Sequence, residues 1–525
     1  MILGWGGLIT LVALQAGPPQ RPADLLLLGG RVLDGAGSPW VIRDVAITGA
    51  RISFVGHAAS RRIRARDTLD VRGKLVTPGL WDVHSHENVR SEPYRHAVPF
   101  LYQGITTVVL GVDGFGDNEI AKTFAEYRRN GMAVNALHFV GHGPARTAAM
   151  NDRFARAATP DEIERMKGYV AKGMREGAVG FSTGLAYNPG YFATTDEVVA
   201  LSEVAARFGG VYDTHDRDMG VTLRGIGFLN SVREAIEIAE RGGTPLVFSH
   251  FGSLSAKAHA DMPAAIRLIE AARARGVNVM AAQHVYTASE GSVVGHLFPR
   301  WAQSGGTDSL LLRLADQASW ALIAPDVAEL LAIRGGPDKI IITEGPVELS
   351  RHTVAEVAAR WATSPTEALR RMVRDARGGR LMDMNADIYS MDNVRLLAVK
   401  DWMMTCTDGY TPGPEVKFTH PRTFAGFTRK LTQLVRDERV ITLPFAIRGM
   451  TGLPAAFYGI GDRGLIKPGF YADLAVFDEA RIQDRADYRD PFQYSEGTVH
   501  VLVNGRFAFR DGKPTGTLAG MGVSR

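Results

Sequence analysis

The sequence predicts an α/β protein: a (β/α)8 TIM barrel, a small β-sandwich built from both chain ends, and an insertion before the last barrel strand. Three observations lead there. Short apolar segments alternate with amphipathic helical segments through the middle of the chain. Eight strand candidates can be counted, at 75–83, 105–111, 135–140, 178–183, 210–214, 245–249, 277–283 and 402–407. Both chain ends instead carry short strand-like stretches separated by Gly-rich turns, with no helical spacing.

In chain order, residues 3–16, "LGWGGLITLVALQA", form an apolar run too short to span a bilayer comfortably. The break "GPPQRPAD" follows, and Ala16 would suit a cleavage site, although no Lys or Arg precedes Arg21. The expectation is a signal peptide over about 1–20 and a periplasmic or secreted protein, with a cytoplasmic one as the alternative. Segments such as "DLLLLGGRVLDG" and "DVAITGARISFVG" near the start share their grammar with "GFYADLAVFD" and "VHVLVNGRFAFRDGK" near the end. Neither set has enough strands to bury a face alone, so residues 21–75 and 465–525 are expected to form one β-sandwich domain. Residues 76–464 are then the barrel.

The barrel helices carry their own start signals. In "TPDEIERMKGYVAKGMREG", Thr159 is the N-cap, Pro160 the first helical residue and Glu162 the partner of a capping box. Ile163, Met166, Val170 and Met174 follow at helical spacing. The unit recurs as "TTDEVVALSEVAARFGG" before "VYDTHD", "REAIEIAERGG" before "PLVFSH", and "PAAIRLIEAARARG" before "VNVMAAQHVY". The stretch before the last strand is far longer than an ordinary βα unit of about 30 residues. It predicts an insertion over the barrel mouth at about 290–400.

Bulk composition narrows the function. The formal charge is +4 against 60 basic and 56 acidic residues, with no basic block, so nucleic acid is not an expected partner. Stable membrane insertion is not expected either, and a homo-oligomer is left open. The single cysteine, Cys406, excludes an intramolecular disulfide framework and a Cys-rich metal site.

Chemistry-bearing residues gather at the ends of the predicted strands, which in this fold form the catalytic face. His84 and His86 follow the first strand, one residue apart, and project to one side of an extended chain. A lone His-x-His is a weak signal, and the dipeptides at Asp113–Gly114 and Asp408–Gly409 could be ordinary turns. Together the strand ends deliver His84, His86, Asp113, His142, His215, Arg217, His250 and Asp408. Imidazoles and carboxylates converging on one rim are the ligand set of a borderline metal such as Zn2+, bound as one or two ions.

The segments "TPGLWDVHSHENV", "GAVGFSTGLAYNPG", "CTDG", "HPRTFAGFTRKL" and "IRGMTGLPAAFYGIGDRGLIKPGFYADLAVFDEARI" resemble the D-aminoacylase (N-acyl-D-amino-acid deacylase) family of the amidohydrolase superfamily. The resemblance runs from about residue 24 to the C-terminus. It implies that His84 and His86 with Asp408 form one metal position. His215 and His250 form the second, completed by Asp113, which stands where relatives carry a cysteine or an acidic residue. Relatives of the hydantoinase and urease type use a carboxylated lysine at the fourth strand, and "GFSTG" has none.

By the same resemblance Asp408 is the general base, which takes a proton from water and returns it to the departing amine. His142 and Tyr286 are candidate donors to the tetrahedral intermediate. Tyr187, Arg217, His284 and Arg422 are candidate substrate-binding residues, the arginines suiting a carboxylate. Two departures stand out. Phe251 and Gly252 follow His250 where a lysine is expected nearby, and His284 stands where a tyrosine is usual. The expected activity is hydrolysis of the linear amide of N-acyl-D-amino acids, small-molecule substrates. The alternatives are a dipeptidase releasing a C-terminal D-residue, a cyclic-amide hydrolase, or an inactive barrel serving as a scaffold.

Overall fold

A computed structural model describes residues 22–525, so the expected signal peptide lies outside the described residues. Eight parallel strands follow one another around the barrel in chain order. They are Leu80–Asp82, Ile105–Leu110, Asn135–Gly141, Gly180–Gly184, Val211–His215, Leu246–Phe248, Val279–Gln283 and Met403–Thr405. The eighth pairs with the seventh in parallel, Ala281 opposite Met403. The first and eighth meet less regularly: the Val83 N–H donates to Thr405 O at 3.4 Å and the Asp408 N–H to His84 O at 3.0 Å. Asp82 completes this seam, its Oδ1 accepting from the Thr407 N–H at 2.8 Å and its Oδ2 from the Thr407 hydroxyl.

The predicted strand at 75–83 is two strands. Leu75–Pro78 runs antiparallel to Leu474–Phe477 in the β domain, and Leu80–Asp82 enters the barrel. Gly79 is the joint. A Cβ there would lie 2.1 Å from Thr106 Oγ1, so only glycine lets the chain pass from one sheet to the other.

The two chain ends build one nine-stranded sheet. Its strand Ala23–Val32 carries a bulge between Leu27 and Gly30. Its first half pairs with Ala65–Asp70 and its second half with Leu75–Pro78. Leu27, Val45 and Val76 from the N-terminal part share one hydrophobic cluster with Leu474, Val476 and Leu502 from the C-terminal part.

Inside the barrel, Trp81, Val109, Leu137, Val179, Val247 and Met404 pack together, joined by Leu453 and Tyr458 from beyond the eighth strand. The helix Pro160–Arg175 begins with the capping box Thr159/Glu162, and its buried Met166, Val170 and Met174 pack in the layer outside the strands. Between the seventh and eighth strands stands a three-stranded sheet, Ser289–Ser292, Ile340–Glu344 and Met382–Asn385. Its helices, Gln317–Ile333 and Pro365–Ala376 among them, bury a separate core around Leu297, Trp320, Val357 and Leu369. The last helix before the eighth strand, Met391–Ala398, packs into the barrel layer instead. Among the described residues, no helix is long and apolar enough to cross a membrane.

Candidate metal centre

The polar residues at the strand ends converge. His84, His86, Asp113 and Asp408 form one group of ligand atoms and Asp113, His215 and His250 a second, all atoms in a group lying within 4.8 Å of one another. Backbone pairing sets the first group. The Asp408 N–H bonds to His84 O, and the His86 N–H bonds to Gly409 O at 2.9 Å, so the histidine pair and the acid are laced together. Asp113 and Asp408 both adopt left-handed backbone conformations, at φ 54° and 52°. Aspartate tolerates that region better than most residues, and here it turns each carboxylate inward. Behind Asp113, a Cβ at Gly114 would come 2.7 Å from the Gly184 nitrogen, which keeps this turn against the fourth strand.

Asp113 is common to both groups. Its Oδ1 lies 3.5 Å from His84 Nε2 and 3.7 Å from both His215 Nδ1 and His250 Nε2, and its Oδ2 lies 3.5 Å from His86 Nε2. Asp408 Oδ1 lies 3.6 Å and 3.3 Å from His84 and His86, while its Oδ2 is held by Arg422 Nη1. Burial alone would raise both carboxyls. The neighbouring His84 and His250 hold Asp113, and Arg422 with His250 holds Asp408, well below the usual carboxylate range. Burial pushes His215 down to about 3, helped by the adjoining His250. His250 itself, despite burial, is raised to about 9 by Asp408 and Asp113.

These residues fit a metal. His84 Nε2 and Asp113 Oδ1 are buried with no hydrogen-bond partner, an arrangement that costs free energy unless a ligand satisfies it. Imidazole and carboxylate donors from five strand ends suit zinc, and a shared carboxylate suits a bridging position between two ions.

A cleft of about 680 Å³ opens over the cluster, lined by Tyr187, Tyr389 and Arg422 besides the ligand candidates. The Tyr187 hydroxyl is hydrogen-bonded to His215 Nδ1 at 3.1 Å, and burial keeps it a phenol. Four candidates from the sequence lie elsewhere. His142 is fully buried behind the fourth-strand loop, its Nε2 bonded to Glu197 at 2.9 Å. Tyr286 is packed edge-on against His420 under Arg429, away from the cleft. Arg217 is spent in a two-bond pair with Glu234, both at 2.8 Å, and on the carbonyls of Tyr191 and Ala193. It therefore braces the Tyr187 loop rather than facing a substrate. His284 sits beneath Tyr389 in a small cavity behind His250, kept neutral by burial.

Sequence reasoning missed Tyr389, Arg300, Arg380, Glu290 and Glu344, all of which line the cleft. All five come from the insertion region, where no strand-end rule applies. Only its position over the barrel mouth could have pointed to them.

A parallel barrel with clustered histidines and acids at the carboxyl ends of its strands defines a metal-site barrel protein. Residues 67–509 match the model of the amidohydrolase family. N-acyl-D-glutamate deacylase of Alcaligenes xylosoxydans xylosoxydans is 31% identical over 94% of this chain and 96% of its own. D-aminoacylase of the same organism is 30% identical over 96% and 98%. Among solved structures, that of a D-aminoacylase superposes with a TM-score of 0.80 at 29% identity, covering 96% of this chain and 100% of the other. N-acyl-D-glutamate deacylase from Bordetella bronchiseptica, solved with zinc and a phosphonate mimic of the tetrahedral intermediate, gives 0.82 at 29% identity over the same shares. The chain belongs to the amidohydrolase family, in its D-aminoacylase branch.

Proposed function

We propose that this protein is a zinc-dependent hydrolase of the linear amide of N-acyl-D-amino acids, yielding a carboxylate and a free D-amino acid. The observation that carries the reading is the doubled ligand group sharing Asp113, with Asp408 held against Arg422 beside it. His84, His86 and Asp408 would hold one ion, and Asp113, His215 and His250 the other. When bound, zinc supplies Lewis acidity and brings the pKa of its water toward ~7.

The chain's own groups do the rest. Asp408 stays ionised because Arg422 and the imidazoles oppose its protonation, so it is ready to accept a proton at neutral pH. It passes that proton to the amine nitrogen as the C–N bond breaks. Arg422 fixes the carboxylate's orientation through Oδ2, leaving Oδ1 toward the histidines. The Tyr187 phenol donates to the carbonyl oxygen as negative charge develops there. The cleft volume suits an acylated amino acid. D-selectivity is supported by the names of the relatives that align over nearly the whole chain.

A second reading, hydrolysis of dipeptides with a C-terminal D-residue, is favoured by Glu290 on the cleft wall, which would accept a terminal ammonium. A hydrolysis screen of paired N-acyl-D- and N-acyl-L-amino acids with mixed-chirality dipeptides tests both. Turnover of the acyl-D series is expected; preference for the L series would overturn the stereochemical assignment.

A further inference from the structure

Inside the barrel, next to the ligand candidates, lies a carboxylate that none of the roles assigned above uses. Asp213 stands on the fifth strand two residues before His215, so the alternation of a strand turns both to the same face. It is 1% exposed, in an interior otherwise filled by Val109, Leu137, Val247 and Met404. Among the described residues no cation forms an ion pair with it. Its oxygens accept instead from hydroxyls on both neighbouring strands: Oδ2 from Ser182 at 2.6 Å and Oδ1 from Ser249 at 3.1 Å. Ser182 lies directly opposite Asp213 on the fourth strand. Ser249 follows the sixth strand, immediately before His250, and its N–H bonds to Thr214 O at 3.0 Å.

The bonds continue to a third ligand candidate. Ser182 Oγ, whose proton goes to Asp213, accepts the Gly114 N–H at 2.9 Å, and Gly114 belongs to the turn that carries Asp113. That turn is pressed on the end of the fourth strand, where a Cβ at Gly184 would fall 2.3 Å from Asp113 O. One carboxylate thus reaches every member of one ligand group. It reaches His215 along its own strand, His250 through Ser249, and Asp113 through Ser182 and the Gly114 N–H. Stability does not account for it. A buried carboxylate answered by hydroxyls but by no counter-charge costs free energy relative to an apolar side chain. What it supplies is direction: it fixes two hydroxyls, and these fix the backbone beside the ligands.

We infer that Asp213 is the positioning residue of the Asp113, His215 and His250 group, acting through Ser182 and Ser249. It belongs to neither ligand group itself. The inference rests on the zinc reading of the site and on no choice of substrate. Removing the network leaves the barrel closed, because the strand pairing is untouched, but frees the Asp113 turn and the His250 segment from their common anchor.

The experiment measures the zinc affinity of the full chain by competition with a chelator, alongside urea unfolding of the metal-free protein. Ser182→Ala, Ser249→Ala and Asp213→Ala should each weaken at least one bound zinc by about 10- to 100-fold, the usual cost of removing a group that orients a metal ligand. Asp213→Asn keeps the shape and one acceptor and should recover part of the loss. Because the serines act through one carboxylate, Ser249→Ala should cost no further affinity in the Asp213→Ala background. The visible absorption of the cobalt-loaded protein, which follows ligand geometry, should shift in the same variants. Zinc affinities and cobalt spectra that stay at wild type, with only the metal-free stability lowered, would make Asp213 a packing residue and overturn the inference. Wild-type protein that binds no zinc overturns the zinc reading and the inference with it, and shows this before any substitution is made. If Asp213→Ala does not fold, the two serine variants decide alone.

Discussion

Asp408 concentrates the chemistry of the site in one side chain. Its left-handed backbone, its salt bridge to Arg422 and the two imidazoles facing Oδ1 are three independent constraints on one carboxylate. Asparagine keeps the shape and one acceptor but cannot take up a proton. Asp408→Asn should lower kcat by ~10²–10⁴, while metal measured on the purified protein is largely retained, because the Asp113, His215 and His250 group keeps all its ligands and the asparagine amide oxygen still faces His84 and His86. Undiminished turnover would remove Asp408 as the base. The residues that converge here are legible in the sequence because each follows a strand, and the barrel brings strand ends to one rim. Arg217 and His142 follow strands too, yet both turn away. Their partners, Glu234 and Glu197, lie on later helices, and sequence spacing does not say which buried acid captures which cation.

At the scale of elements, the least regular seam of the barrel is the one that carries chemistry. The first and eighth strands are joined through Asp82, which accepts from both the backbone and the hydroxyl of Thr407, one residue before Asp408. Asp82→Ala leaves the buried Thr407 N–H without its acceptor. It should cost about 1–3 kcal/mol in urea unfolding and depress kcat as well, because the Asp408 segment loses its anchor. A stability loss with full kcat would show that the seam does not position the base. The capping box of the Pro160–Arg175 helix gives a pH test. Arg156, with the Thr159 backbone N–H, holds Glu162 down to about 2. A carboxyl with a depressed folded pKa stabilises fully above its unfolded pKa and loses that contribution as pH falls toward the folded value. Glu162→Gln should therefore be about 0.5–1 kcal/mol less stable than wild type near neutrality, with the gap narrowing as pH drops from about 4.5 toward 2; a gap constant with pH would exclude the charge as its source. This box is written locally, as Thr-x-x-Glu, and so is visible in sequence. The split of 75–83 into two strands is not, because it depends on Gly79 meeting Thr106 on the neighbouring barrel strand.

For the whole molecule, the metal centre and the insertion are stabilised by different means. The ligand candidates come from the first, second, fifth, sixth and eighth strands, so an ion held by them ties the barrel across its mouth. The insertion buries its own core around Trp320, Val357 and Leu369 and supplies none of those ligands. Its existence is legible from the long interval before the last strand, but its sheet is not, since Ser289–Ser292, Ile340–Glu344 and Met382–Asn385 pair across long stretches of chain. Binding to the folded state alone adds RT ln(1 + [L]/Kd), about 4 kcal/mol when free zinc is a thousandfold above Kd. Removing the metal with a chelator should therefore abolish activity and lower the barrel's melting transition by several degrees, and zinc should restore both. A calorimetric scan should resolve the insertion as a second transition that the chelator leaves in place. If both transitions move together, the insertion draws its stability from the closed barrel mouth, and its separate core is not a separate folding unit.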